Sequence, residues 1–140
     1  MDIDHVVLWV DDPSRALAFY VDVVGLVAVR GEEFARGEAP FPSGRVGERT
    51  LVDLMARGSA EVVRAFTGEQ GEPAAGGRLN HVCLAMTRAE LEGLRARLAA
   101  RGVAVTEVPV PSFGARGLST ASFYFQDPDG NVVEVRAYDG

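Results

Sequence analysis

Apolar residues recur along this chain with a period of two and then of three to four, and that succession of periods runs twice. The first half opens with Asp4-His5-Val6-Val7-Leu8-Trp9-Val10 and the second with Asn80-His81-Val82-Cys83-Leu84-Ala85-Met86, so both begin polar-His-Val-x-Leu. The two segments read as copies of one strand. Behind the first, Asp12 is placed to cap a helix with Pro13 at its first position, where the missing N–H is not needed. Leu17, Tyr20, Val21 and Val24 follow at helical spacing and Gly25 suits the exit, which predicts a helix over 13–24. Behind the second strand, Thr87 and Glu90 have capping-box spacing, Leu91, Leu94 and Leu98 form an apolar stripe, and Gly102 ends it.

Short strand patterns complete each half, at 26–30, 41–46 and 50–55 in the first and at 103–108, 120–126 and 132–137 in the second. A turn-rich stretch and the loop 109–118 carry no readable motif. Each half is therefore a β-α-β-β-β unit. A short helix is expected over 59–66, and the glycines and proline of 67–78 mark the joint between modules of about 1–66 and 79–140. Modules this short rarely bury their apolar faces alone, so the expected fold is α+β, one domain whose two modules form a cupped sheet or exchange across a dimer.

Strand alternation then sorts the side chains. His5, Val7 and Trp9 share one face while Val6, Leu8 and Val10 take the helix-packing face; His81, Cys83 and Ala85 repeat the first set. Asp53 is the one charge in Leu51-Val52-Asp53-Leu54-Met55, and Glu134 the one charge in Val132-Val133-Glu134-Val135. A carboxylate inside an apolar strand costs several kcal/mol unless a cation, donors or water meet it. The chain has only two histidines, at matching positions of the two repeats, and imidazole plus carboxylate suits Fe, Mn, Ni, Co or Zn.

Composition narrows the partners. With 140 residues, 47% hydrophobic, the chain has the bulk of one compact soluble domain. A net charge of -6 with scattered basic residues argues against nucleic acid, and no apolar run approaches bilayer length, so no membrane partner is expected. The single Cys83 forms no internal disulfide, which suits a cytoplasmic protein.

His5, Phe19-Tyr20, Gly25-Leu26, His81 and the run Phe123-Tyr124-Phe125-Gln126-Asp127-Pro128-Asp129-Gly130-Asn131-Val132-Val133-Glu134 together give a specific pattern. On these the chain resembles, over essentially its whole length, the vicinal-oxygen-chelate superfamily of glyoxalases, bleomycin-resistance proteins and extradiol dioxygenases. The resemblance implies one divalent transition metal (Ni, Co, Mn, Fe or Zn) held by His5, His81 and Glu134, with Asp53 where glyoxalase I proteins add a carboxylate. It implies an octahedral site with two positions open to substrate oxygens, where the metal stabilises an enolate. Ligands drawn from two subunits, and hence a homodimer acting on a small-molecule substrate, are implied as well.

A metal-dependent glyoxalase-like lyase or isomerase is thus the expected function. Glutathione-holding positions of glyoxalase I are occupied here by Trp9 and Arg57, and Asp53 is one methylene shorter than the usual Glu. Extradiol cleavage would use Tyr124, ten residues before Glu134, but also a further histidine that this chain lacks. An antibiotic-binding, resistance-type protein would use an apolar groove of Trp9, Phe41, Met55, Phe113 and Tyr124. A thiol-to-epoxide transferase of the fosfomycin type would need a potassium-binding loop, and none is readable. Glu134 is expected to be both ligand and proton shuttle, with Asp53 the competing base and Tyr124 a second catalytic candidate. On that reading, Glu134→Gln keeps much of the metal and loses turnover.

Overall fold

The structure is a computed structural model that describes residues 3–68 and 79–138. The joint read at 67–78 lies, from residue 69 onward, outside the described residues. The chain divides into two compact units, Met1–Ala74 and Ala75–Gly140.

In the first unit, β1 (His5–Val10) leads into α1 (Pro13–Phe19), where Asp12 Oδ1 accepts from the N–H groups of Ser14 and Arg15. The predicted helix continues to Val24, but its last stretch, Tyr20–Val24, widens into a π-turn. The Gly25 and Leu26 N–H groups both donate to Tyr20 O there, with Gly25 at φ 95°. A side chain at that angle would be strained, so Gly25 sets where the chain turns back. Then come β2 (Val27–Val29), α2 (Gly31–Ala35), β3 (Ser43–Val46) and β4 (Thr50–Ala56), followed by α3 (Ala60–Thr67). α2 lies in the stretch read only as turn-rich. It is a single short helix with no apolar stripe, so periodicity had nothing to register.

The second unit repeats the plan with β5 (Val82–Met86), α4 (Arg88–Ala100), β6 (Thr106–Glu107), β9 (Ala121–Gln126) and β10 (Val132–Ala137). An added hairpin, β7 (Ser112–Gly114) and β8 (Gly117–Ser119), sits between β6 and β9 in the segment read as loop. The strand expected over 103–108 shrinks to two residues, and His81 lies just before β5 rather than inside it.

Both four-stranded sheets have one topology. The order β1-β4-β3-β2 matches β5-β10-β9-β6, and in each the first strand pairs in parallel with the last while the other pairs are antiparallel. Parallel pairing of first and last strands is what places a histidine of the opening strand beside a carboxylate of the closing one.

Alternation fixes the inward face. Leu8, Val10, Val52 and Leu54 are buried, as are Ala16, Tyr20, Val23 and Val24 on the helix, and α1 lies against β4. In the second unit Leu84, Phe123, Phe125, Val133 and Val135 are buried with Leu91, Leu94 and Leu98, and α4 lies against β10. Each buried Leu, Val or Phe among them stabilises its unit by about 1.5–3 kcal/mol through removal from water. Asp53 and Glu134 fall on the opposite face of their strands by parity, yet they too are buried.

Candidate metal centre

The two sheets place their polar residues by the same register. Asp53 on β4 lies opposite Val7, two residues beyond His5; Glu134 on β10 lies opposite Cys83, two residues beyond His81. Histidine and carboxylate are thus diagonal neighbours on one face of each sheet, which is the reach of long side chains across a strand pair. The Asp127-Pro128-Asp129-Gly130 turn sets this register in the second unit. Asp127 Oδ1 accepts from the N–H groups of Asp129 and Asn131, Gly130 takes φ 83°, and Tyr124 lands directly opposite Glu134.

His81 Nε2 lies 3.2 Å from Glu134 Oε2. The ring's other nitrogen, Nδ1, donates to Asn80 Oδ1 at 2.7 Å, which turns Nε2 toward the carboxylate oxygen. Two lone pairs at that range require a proton or a cation between them. Adjacent ligands of one octahedral ion, each about 2.1 Å from it, sit roughly 3.0 Å apart, close to the spacing seen. His5 is prepared the same way, its Nδ1 against Asp4 Oδ1 at 2.7 Å, which leaves Nε2 available. That bond to Asp4 raises the His5 pKa above its ordinary value despite partial desolvation, and the charge of Asp53 adds to the rise.

Each carboxylate meets a serine and an arginine. Asp53 Oδ1 accepts from Ser43 Oγ at 2.5 Å and from Arg30 Nη2 at 3.3 Å, and Arg30 also donates to Ser43 Oγ. Glu134 Oε1 accepts from Ser122 Oγ at 2.7 Å and from Arg136 Nη2. Burial pushes the Glu134 carboxyl up, but the donors on Oε1 outweigh it and hold the pKa below the ordinary range. The same contact raises the Arg136 pKa. Arg30 reaches its place from a left-handed backbone at φ 60°, the only non-glycine positive φ among the described residues, a conformation that local structure rarely selects unaided.

Tyr124 sets its ring edge-on against His81, with centroids 5.3 Å apart, and burial together with the Glu134 charge raises its hydroxyl pKa. Desolvation of its sulfur, then Glu134, pushes the Cys83 thiol up to about 11, so it is no ready nucleophile. Among the described residues no group of three or more His, Cys, Asp and Glu side chains gathers in either unit; each unit assembles one imidazole with one carboxylate. Ser43, Ser122, Arg30 and Arg136 were not singled out from the sequence. Arg136 had a signal, since it stands two residues after Glu134 and so shares its face, and Ser122 shares the parity of Tyr124. Arg30 and Ser43 reach Asp53 only through tertiary contact and had none.

The family model described as Glyoxalase/Bleomycin resistance protein/Dioxygenase superfamily matches residues 2–135. The chain belongs to this superfamily. A relative from Salmonella typhimurium, named Virulence protein STM3117, is 27% identical over 136 residues, which are 97% of this chain and 83% of that protein. Among solved structures, an integron cassette protein from the mobile metagenome of V. cholerae is 30% identical with a TM-score of 0.65, covering 99% of this chain and 96% of that one. A lactoylglutathione lyase from Agrobacterium tumefaciens is 28% identical with a TM-score of 0.63, covering 97% and 92%. The paired β-α-β-β-β modules are thus those of the glyoxalase superfamily, and no helix among the described residues is long and apolar enough to cross a membrane.

Proposed function

We propose that the chain is a metal-dependent, glyoxalase-like lyase or isomerase acting on a small molecule that chelates the ion through two oxygens. His5, Asp53, His81 and Glu134 would hold one divalent transition metal. The observation that carries this reading is the 3.2 Å approach of His81 Nε2 to Glu134 Oε2, with the outer atoms of both groups already engaged. Similarity to a lactoylglutathione lyase supports the reaction class.

A bound divalent ion would supply Lewis acidity that stabilises an oxyanion beside the reacting carbon. The chain's own residues supply the rest. Asn80 and Asp4 hold the imidazoles in the tautomer that leaves Nε2 free. Ser122 and Arg136 occupy Glu134 Oε1, so Oε2 is the atom that accepts or returns a proton. Because those donors lower its basicity, Glu134 is ionised at neutral pH, and its Oε2 would take a proton from a carbon acid of the substrate. Tyr124, whose ring lies against His81 and which pairs opposite Glu134, would orient a substrate oxygen with its hydroxyl.

The extradiol reading has Tyr124 in place but no third histidine. The test is turnover by metal-loaded protein on hemithioacetals, catechols and epoxides. Isomerisation or lyase chemistry on a hemithioacetal or related carbonyl is expected; ring cleavage alone would move the assignment to the dioxygenases, and tight binding without turnover to the resistance-type binders.

A further inference from the structure

Arg136 joins Glu134 to a part of the second unit that has no counterpart in the first. Its Nη2 donates to Glu134 Oε1, and its Nη1 donates to Phe113 O of β7 at 2.6 Å. The β7–β8 hairpin pairs only with itself; Ser119 at its end is buried, while its cross-strand pair Phe113 and Leu118 is 88% and 50% exposed. Gly114, the next residue of β7, packs directly over the guanidinium. A Cβ there would run into Arg136 Nη1 and Tyr138 Oη. Arg136 is itself 8% exposed, and its Nε is buried without an acceptor among the described residues. A buried donor left unpaired is costly, so maximal hydrogen bonding does not explain the placement. What the placement achieves is a bridge from the backbone of the hairpin to one oxygen of Glu134.

We propose that Arg136 is a positioning residue through which the β7–β8 hairpin sets the orientation of the Glu134 carboxylate. Fork geometry is what the role demands, since one guanidinium plane must meet the Phe113 carbonyl and Oε1 at once. With Oε1 held there and by Ser122, rotation of the carboxylate is blocked and Oε2 stays turned toward His81. The hairpin, which carries the exposed Phe113 and Leu118, is thereby coupled to that oxygen. This inference rests on the reading of Glu134 as a metal ligand.

Cobalt(II) binding tests it without any substrate. Affinity is measured by competition with a chelating dye, the visible spectrum of the bound ion reports its ligand geometry, and thermal melts without metal report folding. Gly114→Ala, Arg136→Lys and Ser122→Ala should each weaken binding about 10- to 100-fold and alter the spectrum, as loss of an outer-shell partner does. Glu107→Gln, on exposed β6, should change neither. Gly114→Ala is the most telling, because it touches no ligand; should it fail to fold, Arg136→Lys, which keeps the charge and loses the fork, decides the matter. Wild-type affinity and spectrum in folded Gly114→Ala or Arg136→Lys, with only the melting temperature lowered, would overturn the positioning role while leaving the metal reading intact. Absence of cobalt binding by the wild type would overturn the metal reading and this inference with it.

Discussion

Glu134 uses its two oxygens differently, and that asymmetry changes what its amide should do. Oε1 takes donors from Ser122 and Arg136 while Oε2 faces His81 Nε2. In Glu134→Gln the donors select the amide oxygen for the Oε1 place and leave the NH2 group facing the imidazole, where it neither ligates nor accepts a proton. On the proposed metal reading, the substitution should therefore remove metal binding as well as basicity, where residue type alone leads to the expectation that much of the metal stays. Isothermal titration should show at least about a 100-fold loss of affinity. Retained affinity with lost turnover would mean that Oε1 is the ligand. Asp53→Asn follows the same logic, since Ser43 and Arg30 both donate to Oδ1.

At the scale of elements, much of the frame was legible because alternation and capping are local. β10 was read at its observed bounds, Val132–Ala137, because a strong turn precedes an apolar run. α4 begins where Thr87 and Glu90 predicted, with the full capping box formed. The β7–β8 hairpin was not legible: its loop is Ala115-Arg116, without the Asn-Gly or Asp-Gly signature, and its strands are three residues long. The clamp residues of Asp53 were hidden for a different reason, since β2, β3 and β4 assemble them from distant sequence. Two outcomes follow for α4. Leu94→Ala, at a fully buried position, should cost about 2–5 kcal/mol in urea unfolding. Thr87→Ala should cost about 1 kcal/mol at neutral pH. Hydrogen bonds from the Thr87 backbone and hydroxyl hold the Glu90 pKa below the ordinary range. Its contribution is therefore present above about pH 4.3 and is lost as pH falls through the lower folded value. The Thr87→Ala penalty should accordingly shrink between pH 7 and pH 3. An unchanged penalty would show that Glu90 takes no part in the cap.

On the scale of the whole molecule, two modules of one topology each carry a histidine, a buried carboxylate and an arginine–serine clamp. The clamp chemistry recurs although its register does not: Ser43 lies directly opposite Asp53, whereas Ser122 lies opposite Arg136, diagonal to Glu134. Two lineages of contact thus arrive at one arrangement, in which a carboxylate keeps one oxygen for use. Each sheet also ends in unpaired edge strands among the described residues, β1 and β2 in one and β5 and β6 in the other, and pairing of modules into a homodimer is the expected remedy. Light scattering at micromolar concentration should give twice the chain mass. The central claim, that these imidazoles and carboxylates hold a metal, is tested most directly by elemental analysis after incubation with Ni, Co, Mn, Fe and Zn and removal of excess ion. About one divalent ion per chain is predicted for the wild type, with loss of that ion in His81→Ala. Substoichiometric metal with every ion, unchanged by His81→Ala, would contradict the account.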